Sequence, residues 1–316
     1  LGAASIESTF ALYKLFNNKL QINKITIDKG YFNLEVYKDS TNLTSMLAYF
    51  SSAGDNAKKE KSTLELKLSR IELKDNQFKV VNHTTKHHND GVDFSDLDIT
   101  SFSAVFDDIK LDSTISTNIT DFTLSEKSGL RVNKLETKAT YTTKYMEFKN
   151  LYLATNRSIL QDYLRFDYND IHDFGDFIYK VHVTANLLSS HVSSKDIVYF
   201  APELKNILFD SKIKKAQLKG TVANIQAKEV HLLTAKQTEL QADFTIKGLP
   251  NINTTVFNFN IKTLKTNAAD VEALVPQLAQ QNTFKLPSPL FEFGNILFAG
   301  SFVGLYNDFN ILGTFD

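Results

Sequence analysis

The sequence predicts a mainly β chain with a few short helices. Three observations carry that expectation. Apolar residues alternate with polar ones at period two over several stretches, as in strands with one buried face. Thr, Ile, Val, Phe and Tyr are abundant, and Asn, Asp, Gly and Lys punctuate the runs. Only three segments carry helical spacing: Asn42–Phe50, Ser194–Leu204 and Ala268–Gln281.

In chain order, "NLTSMLAYF" from Asn42 is the first helical candidate. The polar, small-residue segment Ser51–Ser62 reads as an exposed loop. "LKLSRIELKDNQFKVV" from Leu66 and "FSDLDITSFSAVF" from Phe94 are strand-like, with a hairpin tip at Asn82–Gly91 between them. "YMEFKNLYLAT" from Tyr145 is a further strand. "FIYKVHVTANL" places Phe177, Tyr179, Val181, Val183, Ala185 and Leu187 on one strand face, with His182 on the wet side. "LQADFTIKG" does the same with Leu240, Ala242, Phe244 and Ile246, and "VFNFNIKTL" with Phe257, Phe259 and Ile261. Each of the two later helices has an Asp near its start, where free N–H groups favour negative charge. Each also contains a Pro, which shortens or bends it.

With 316 residues, 42% of them hydrophobic, the chain can bury a core. Its 35 basic and 36 acidic residues nearly cancel, so nothing favours nucleic acid as a partner. No cysteine is present, which removes disulfides, thiolate metal sites and cysteine nucleophiles. No window has the roughly 18 uninterrupted apolar residues of a membrane span. The chain starts at Leu1 without Met and stops abruptly after a strand; we expect a piece of a longer protein, with any anchor outside it.

The region from 141 onward repeats itself. "DIVYFAPEL" (Asp196–Leu204) matches "DVEALVPQL" (Asp270–Leu278) at an offset of 74. "LATNRSILQDYLRF" from Leu153 resembles "LLTAKQTELQADFTI" from Leu232, and "LKGTV" resembles "FAGSF", setting Gly220 on Gly300. Two tandem copies of about 75–80 residues over 141–316 account for the common order, after a β segment over 1–140. The recurring plug helices carry Phe200, Pro202 and Leu204 in one copy and Leu274, Pro276 and Leu278 in the other.

Alternating strands give a sheet with one apolar face, which has to be buried. Helices are too few to cover it. A sandwich, a closed barrel, or a sheet left open around an apolar ligand would each satisfy the requirement.

Here the order of several runs resembles a family. "ITIDKGYFNLEVYKDSTNLTSML" is similar to the start of AsmA-like proteins, where a strand ending in an Asp-x-Gly turn precedes a strand and an Asn-Leu helix. "LETKATYTTKYMEFKNLYLATNRSILQ", "DFIYKVHVTANLLSSHVSSKDIVYFAPEL", "KGTVANIQAKEVHLLTAKQTELQADFTIKGLP" and "FAGSFVGLYNDFNILGTF" resemble the TamB branch in Bacteroidota. The resemblance implies an elongated folded sheet, a β-taco whose trough is lined with apolar side chains. It implies a periplasmic body anchored in the inner membrane outside this chain. It also implies phospholipid acyl chains as cargo, a TamA-like outer-membrane protein as partner, no cofactor and no enzymatic activity.

Under that reading the lipid-facing wall is Phe177, Tyr179, Val181, Val183, Phe244, Ile246, Phe257, Phe259 and Ile261. A second reading is a scaffold whose sheet edges accept strands of incoming outer-membrane proteins. A third is an acid–base enzyme using Asp167, Asp170, Asp173 and Asp176; the run "DYNDIHDFGD" reads instead as a solvated turn-rich loop. His83, His87 and His88 are an imidazole cluster on a polar tip that lacks the rigidity a metal needs. The glycines of "FGNILFAGSFVG" lack the following helix of a phosphate loop, and the lysines of "KIKKAQLKG" read as a wet face or a contact to lipid headgroups.

Overall fold

The computed structural model describes residues 2–10, 19–38, 40–42, 65–111, 114–279, 284–292 and 294–316. Beyond Asn42 itself, the expected helix from Asn42 and the expected loop Ser51–Ser62 lie outside the described residues, as does Gln281. The chain is mainly β and divides into two compact units, Leu1–Thr142 and Thr143–Asp316.

The first unit holds β1 (Ser5–Phe10), β2 (Lys19–Asp28), β3 (Tyr31–Val36), β4 (Glu65–Leu68), β5 (Arg70–Asn82), β6 (Asp96–Leu111), β7 (Ile115–Glu126) and β8 (Arg131–Tyr141). Strands β5 to β8 form an antiparallel meander, and β1 pairs antiparallel with β2. The run Asp28-Lys29-Gly30 is a kink between two strands in the same register, and not the reversal its spelling suggests. Lys29 sits at φ 50, and β2 and β3 continue in one direction, both parallel to β5. The buried Asn76 mends the interrupted ladder: its Oδ1 accepts from the Gly30 N–H at 2.7 Å and its Nδ2 donates to the Ile27 carbonyl at 3.2 Å. One face of this sheet is apolar. Ile25, Ile71, Phe106 and Ile119 follow one another across four strands, and Phe32 stacks on Phe78 at 5.3 Å.

The second unit is a nine-strand antiparallel meander. Its strands are β9 (Tyr145–Thr155), β10 (Ile159–Asp167), β11 (His182–Ser193), β12 (Asp210–Thr221), β13 (Asn224–Thr234), β14 (Thr238–Lys247), β15 (Val256–Asn267), β16 (Asn295–Gly304) and β17 (Phe309–Phe315). Each pairs with the next in sequence, so within this unit the sheet is open and not closed into a barrel. Among the described residues three α-helices interrupt it: α1 (Phe177–Lys180), α2 (Ser194–Ile197) and α3 (Ala268–Ala279). The expected helix Ser194–Leu204 is α2 followed by a separate 3-10 turn at Pro202–Leu204, a break consistent with Pro202. The helix from Ala268 passes through Pro276 and is described as far as Ala279.

The strand expected over Phe177–Leu187 starts only at His182. Phe174, Phe177, Ile178 and Val181 also stand at i, i+3, i+4 and i+7, and that helical period prevails at the N-terminal end. Asp170 caps the preceding 3-10 turn by accepting from the His172 N–H at 2.8 Å, and Asp176 pairs with Lys180 across α1. Phe177 therefore packs in an aromatic group above the sheet, Tyr179 points outward at 57% exposed, and Val181 is fully buried. None of these three is a residue of the strand wall.

The repeated Asp has the same task in both places. Asp196 Oδ2 accepts from Thr155 Oγ1 at 2.5 Å and from the Arg157 N–H at 2.9 Å, tying α2 to the β9–β10 turn. Asp270 Oδ2 accepts from the Gln237 N–H at 2.7 Å and from Thr238 Oγ1 at 3.0 Å, tying α3 to the β13–β14 turn. Gly220 corresponds by register to Gly304 and not to Gly300. Gly220 lies opposite Val183 and Gly304 opposite Phe257, both have positive φ (128 and 143), and a Cβ on either would strike a backbone carbonyl across the following turn. Asp270 is 4% exposed, so D270A strands the buried Thr238 hydroxyl and removes the partner of the part-buried Gln237 N–H, and it should lower stability by about 2 kcal/mol in urea unfolding. An unchanged midpoint would mean that the plug is not tied to the hairpin.

Candidate functional site

The register of the second unit sorts its side chains into two faces. One ladder reads Phe148, Leu164, Ala185, Leu218, Ala227, Phe244, Phe259, Phe302 and Ile311, apolar in all nine strands. The ladder beside it reads Met146, Phe166, Val183, Gly220, Ile225, Ile246, Phe257, Gly304 and Phe309. The opposite face reads Thr184, Lys219, Gln226, Thr245 and Asn258 across β11 to β15. Of the expected wall residues, Val183, Phe244, Ile246, Phe257, Phe259 and Ile261 share the apolar face. Sequence reasoning did not single out Phe148, Leu164, Phe166, Leu218, Phe302, Phe309 or Ile311, although the same period-two pattern marks them.

Among the described residues of the unit no second sheet lies over this face. Phe244, Phe257, Phe259 and Phe302 are half-buried, and Phe309 and Ile311 are exposed. Phe244 and Phe259 lie 4.7 Å apart, and Phe302 and Phe309 4.8 Å apart, so the rings cover one another sideways. Phe298 is the one buried phenylalanine among the described residues. Its ring lies over Gly300 and Gly313, where a Cβ would come within 2.8 Å of ring atoms.

A line of irregularities crosses the same sheet. Asn150, Asp162, Ser189 and Glu229 have positive φ within β9, β10, β11 and β13, and the registers of β12 and β15 slip at Lys214–Lys215 and Lys262–Thr263. Bulges bend and twist a strand, and a row of them bends the sheet along a line. Beside that line the face carries Ala216, Ala227 and Ala242, each no more than 3% exposed. Small side chains are what a concave bend has room for.

The polar face is laced with ion pairs. Glu239 takes His231 Nε2 at 2.5 Å and Lys214 Nζ at 2.9 Å, and these bonds hold its carboxyl down at about 2. Asp243 pairs with Lys262 at 3.0 Å. Glu147 is raised by burial but brought below its ordinary range by Lys149, Tyr163 and the Arg165 charge.

The carboxylates of "DYNDIHDFGD" serve local structure. Asp167 pairs with Arg165, Asp170 caps a turn, Asp173 accepts from the Asn169 N–H, and Asp176 pairs with Lys180. His83 stacks on Tyr37, while His87 and His88 flank the buried Asp93. Burial raises Asp93, and N–H donation from His88 and Ser95 more than reverses that. Among the described residues no three such groups converge on a possible metal position. The side chain of Leu278 lies outside the described residues; Phe200 is at the tip of its plug, and Leu274 and Pro276 are half-buried on α3. A cavity of about 290 Å³ at the head of α3 is edged by the amides of Gln237, Asn267 and Asn295 and lies apart from the apolar ladders.

No protein-family model, curated protein or solved structure matches the chain. No described helix is long and apolar enough to cross a membrane.

Glu239 is deprotonated in the folded chain at pH values where the unfolded chain has begun to bind the proton. Its contribution to stability is therefore present above about pH 4.5 and fades as pH falls toward about 2. E239Q should lower the denaturation midpoint at pH 7 and change it little at pH 2.5, a difference that chemical unfolding at the two pH values will read.

Proposed function

We propose that the second unit is a length of lipid-conducting wall in a periplasmic, inner-membrane-anchored protein of the TamB/AsmA-like kind. The observation that carries this reading is the ladder of nine consecutive apolar residues, half-open along β14 to β17. Nine strands at a spacing of roughly 4.8 Å make the ladder about 38 Å long. An acyl chain in water costs about 0.8 kcal/mol per methylene, so a chain moving between membranes needs a continuous apolar surface. A wall with side contacts only would hold such a chain loosely at every step and tightly at none. The polar reverse face would keep the sheet wetted from outside, and headgroups would stay at the open rim. The runs that resemble the TamB branch supply β9, β11, β13, β14 and β17 and parts of β10, β12 and β16, while β15 lies between two of them.

A second reading has one observation in its favour. Strand β17 pairs only with β16 within the unit, and every one of its residues is exposed. An incoming strand could add at that edge, as in a scaffold working with a TamA-like outer-membrane protein.

The two readings separate in one experiment. A photocrosslinking residue at Phe259 should give phospholipid adducts in cells, and one at Asn258, one position along and on the other face, should not. Adducts at β17 edge positions made of polypeptide would favour the scaffold. Good expression with no lipid adduct at Phe259 would remove the conduit reading.

A further inference from the structure

The apolar face is not equally open along its length. Over β10 to β12, two arms from opposite ends of the sheet meet above it. One is the β10–β11 connection, residues 168–181; the other is the β11–β12 connection, residues 194–209. Phe177 of the first arm and Phe200 of the second touch, with ring centroids 6.2 Å apart. Beneath them lies Phe166, whose ring contacts Phe174 and Phe177. In the later copy the plug α3 has the same hairpin tie, but the opposite connection is only residues 248–255, with no aromatic to meet it. The bridge therefore exists over one stretch and not the other.

The second arm is built unevenly. Its base is fixed: the Ser194 N–H donates to the Phe209 carbonyl at 2.9 Å, and the Phe209 N–H donates to Ser194 Oγ at 3.0 Å. At its tip Phe200 is 39% exposed, while Ala201 beside it is buried. The latch is incomplete. Asp196 uses Oδ2 on the β9–β10 turn, while its Oδ1 is buried with no hydrogen-bond partner. An unpaired buried carboxylate oxygen carries a desolvation cost that movement into water would relieve. Beyond its base the closed arm is held by the Asp196 Oδ2 bonds, by the Phe200–Phe177 ring contact and by the buried Ala201, and it is opposed by the unpaired Asp196 Oδ1.

We propose that the arm 194–209 is a gate over the β10–β12 stretch of the wall, shut by Phe200 on Phe177 and latched by Asp196. Opening exposes Phe166 and its neighbours and joins them to the bare face of β14 to β17, so acyl chains pass from one stretch to the other only through the open state. This rests on the conduit reading.

The chain has no tryptophan and no cysteine, so reporters can be placed singly. F302W reports the bare stretch and F166W the gated one, each read by quenching with vesicles of phospholipid carrying brominated acyl chains. F302W should be quenched in every background. F166W should be quenched weakly in the parent, about fivefold more strongly with F200A, and not at all when F177C and F200C are joined by a short bismaleimide. Strong quenching of F166W in the crosslinked chain, or none with F200A, overturns the gate and leaves the conduit standing. No quenching of F302W in any background overturns the conduit and the gate with it. The crosslinked and uncrosslinked forms of the double-cysteine chain differ only in the linker and its two thioether bonds, so their comparison stands even where F200A folds poorly.

Discussion

A nine-strand sheet with hydrocarbon on one side has to dispose of that side, and the described residues of this unit hold no second sheet to do it. In a sandwich an inward phenylalanine is enclosed from both layers. Here Phe244, Phe257, Phe259 and Phe302 have neighbours beside them and little above. What burial there is comes from three sources: rings lying against one another, short plugs, and the bend along the bulge line. The alanines beside that line show the third source most plainly. Ala227 and Ala242 are 0% and 1% exposed without a layer of strands over them. Larger side chains on the inside of the bend would clash, and larger ones on its flanks are what make the wall greasy.

The fold class and much of the face were readable because period two is a direct consequence of the pleat. Phe244, Ile246, Phe257 and Phe259 alternate cleanly and lie where alternation puts them. The misreading at Phe177–Val181 has an equally direct cause, since those residues satisfy both periods and the choice between them falls to the Asp170 cap, the Asp176–Lys180 pair and packing on Phe166. The bulges left a trace that is easy to pass over. Ile213 to Ala216, Ala227 to Val230 and Ile261 to Leu264 are steps of three within runs of steps of two. Each marks a place where one extra residue enters the strand, at or beside a shift in pairing. The polar residues that take positive φ there, such as Asn150 and Asp162, are types that tolerate it, yet they look like ordinary solvent-face residues in the sequence. The parallel pairing of β2 and β3 with β5 had no local signal, because it depends on a long crossover and on the side chain of Asn76.

The two halves of the second unit share a device more than a sequence. In each, a hairpin turn gives its N–H and hydroxyl to a buried Asp two strands later, and that Asp fixes where the plug leaves the sheet. The device constrains an Asp, the polar groups of a turn and the length of the strand between them. It leaves the facing residues free to vary so long as they stay apolar, which is why Ala185 can stand where the other half has Phe259. Nothing in it constrains the connections at the other end of the sheet, and these differ: 168–181 climbs over the face and 248–255 does not.

Under the conduit reading, that freedom bears on transport. A pocket that binds one ligand well encloses most of its surface, and a ligand so enclosed leaves slowly. A half-open wall trades affinity for movement, because an acyl chain that slides by one strand leaves one set of phenylalanine contacts as it gains the next. Under the conduit reading, the uninterrupted ladder matters more than the depth of any point along it. A single polar residue among the nine would impose a desolvation barrier on every passing chain. A cover over one stretch imposes a barrier of a different kind, one that the protein can lift, and it allows the stretch beneath to remain dry while no lipid is present.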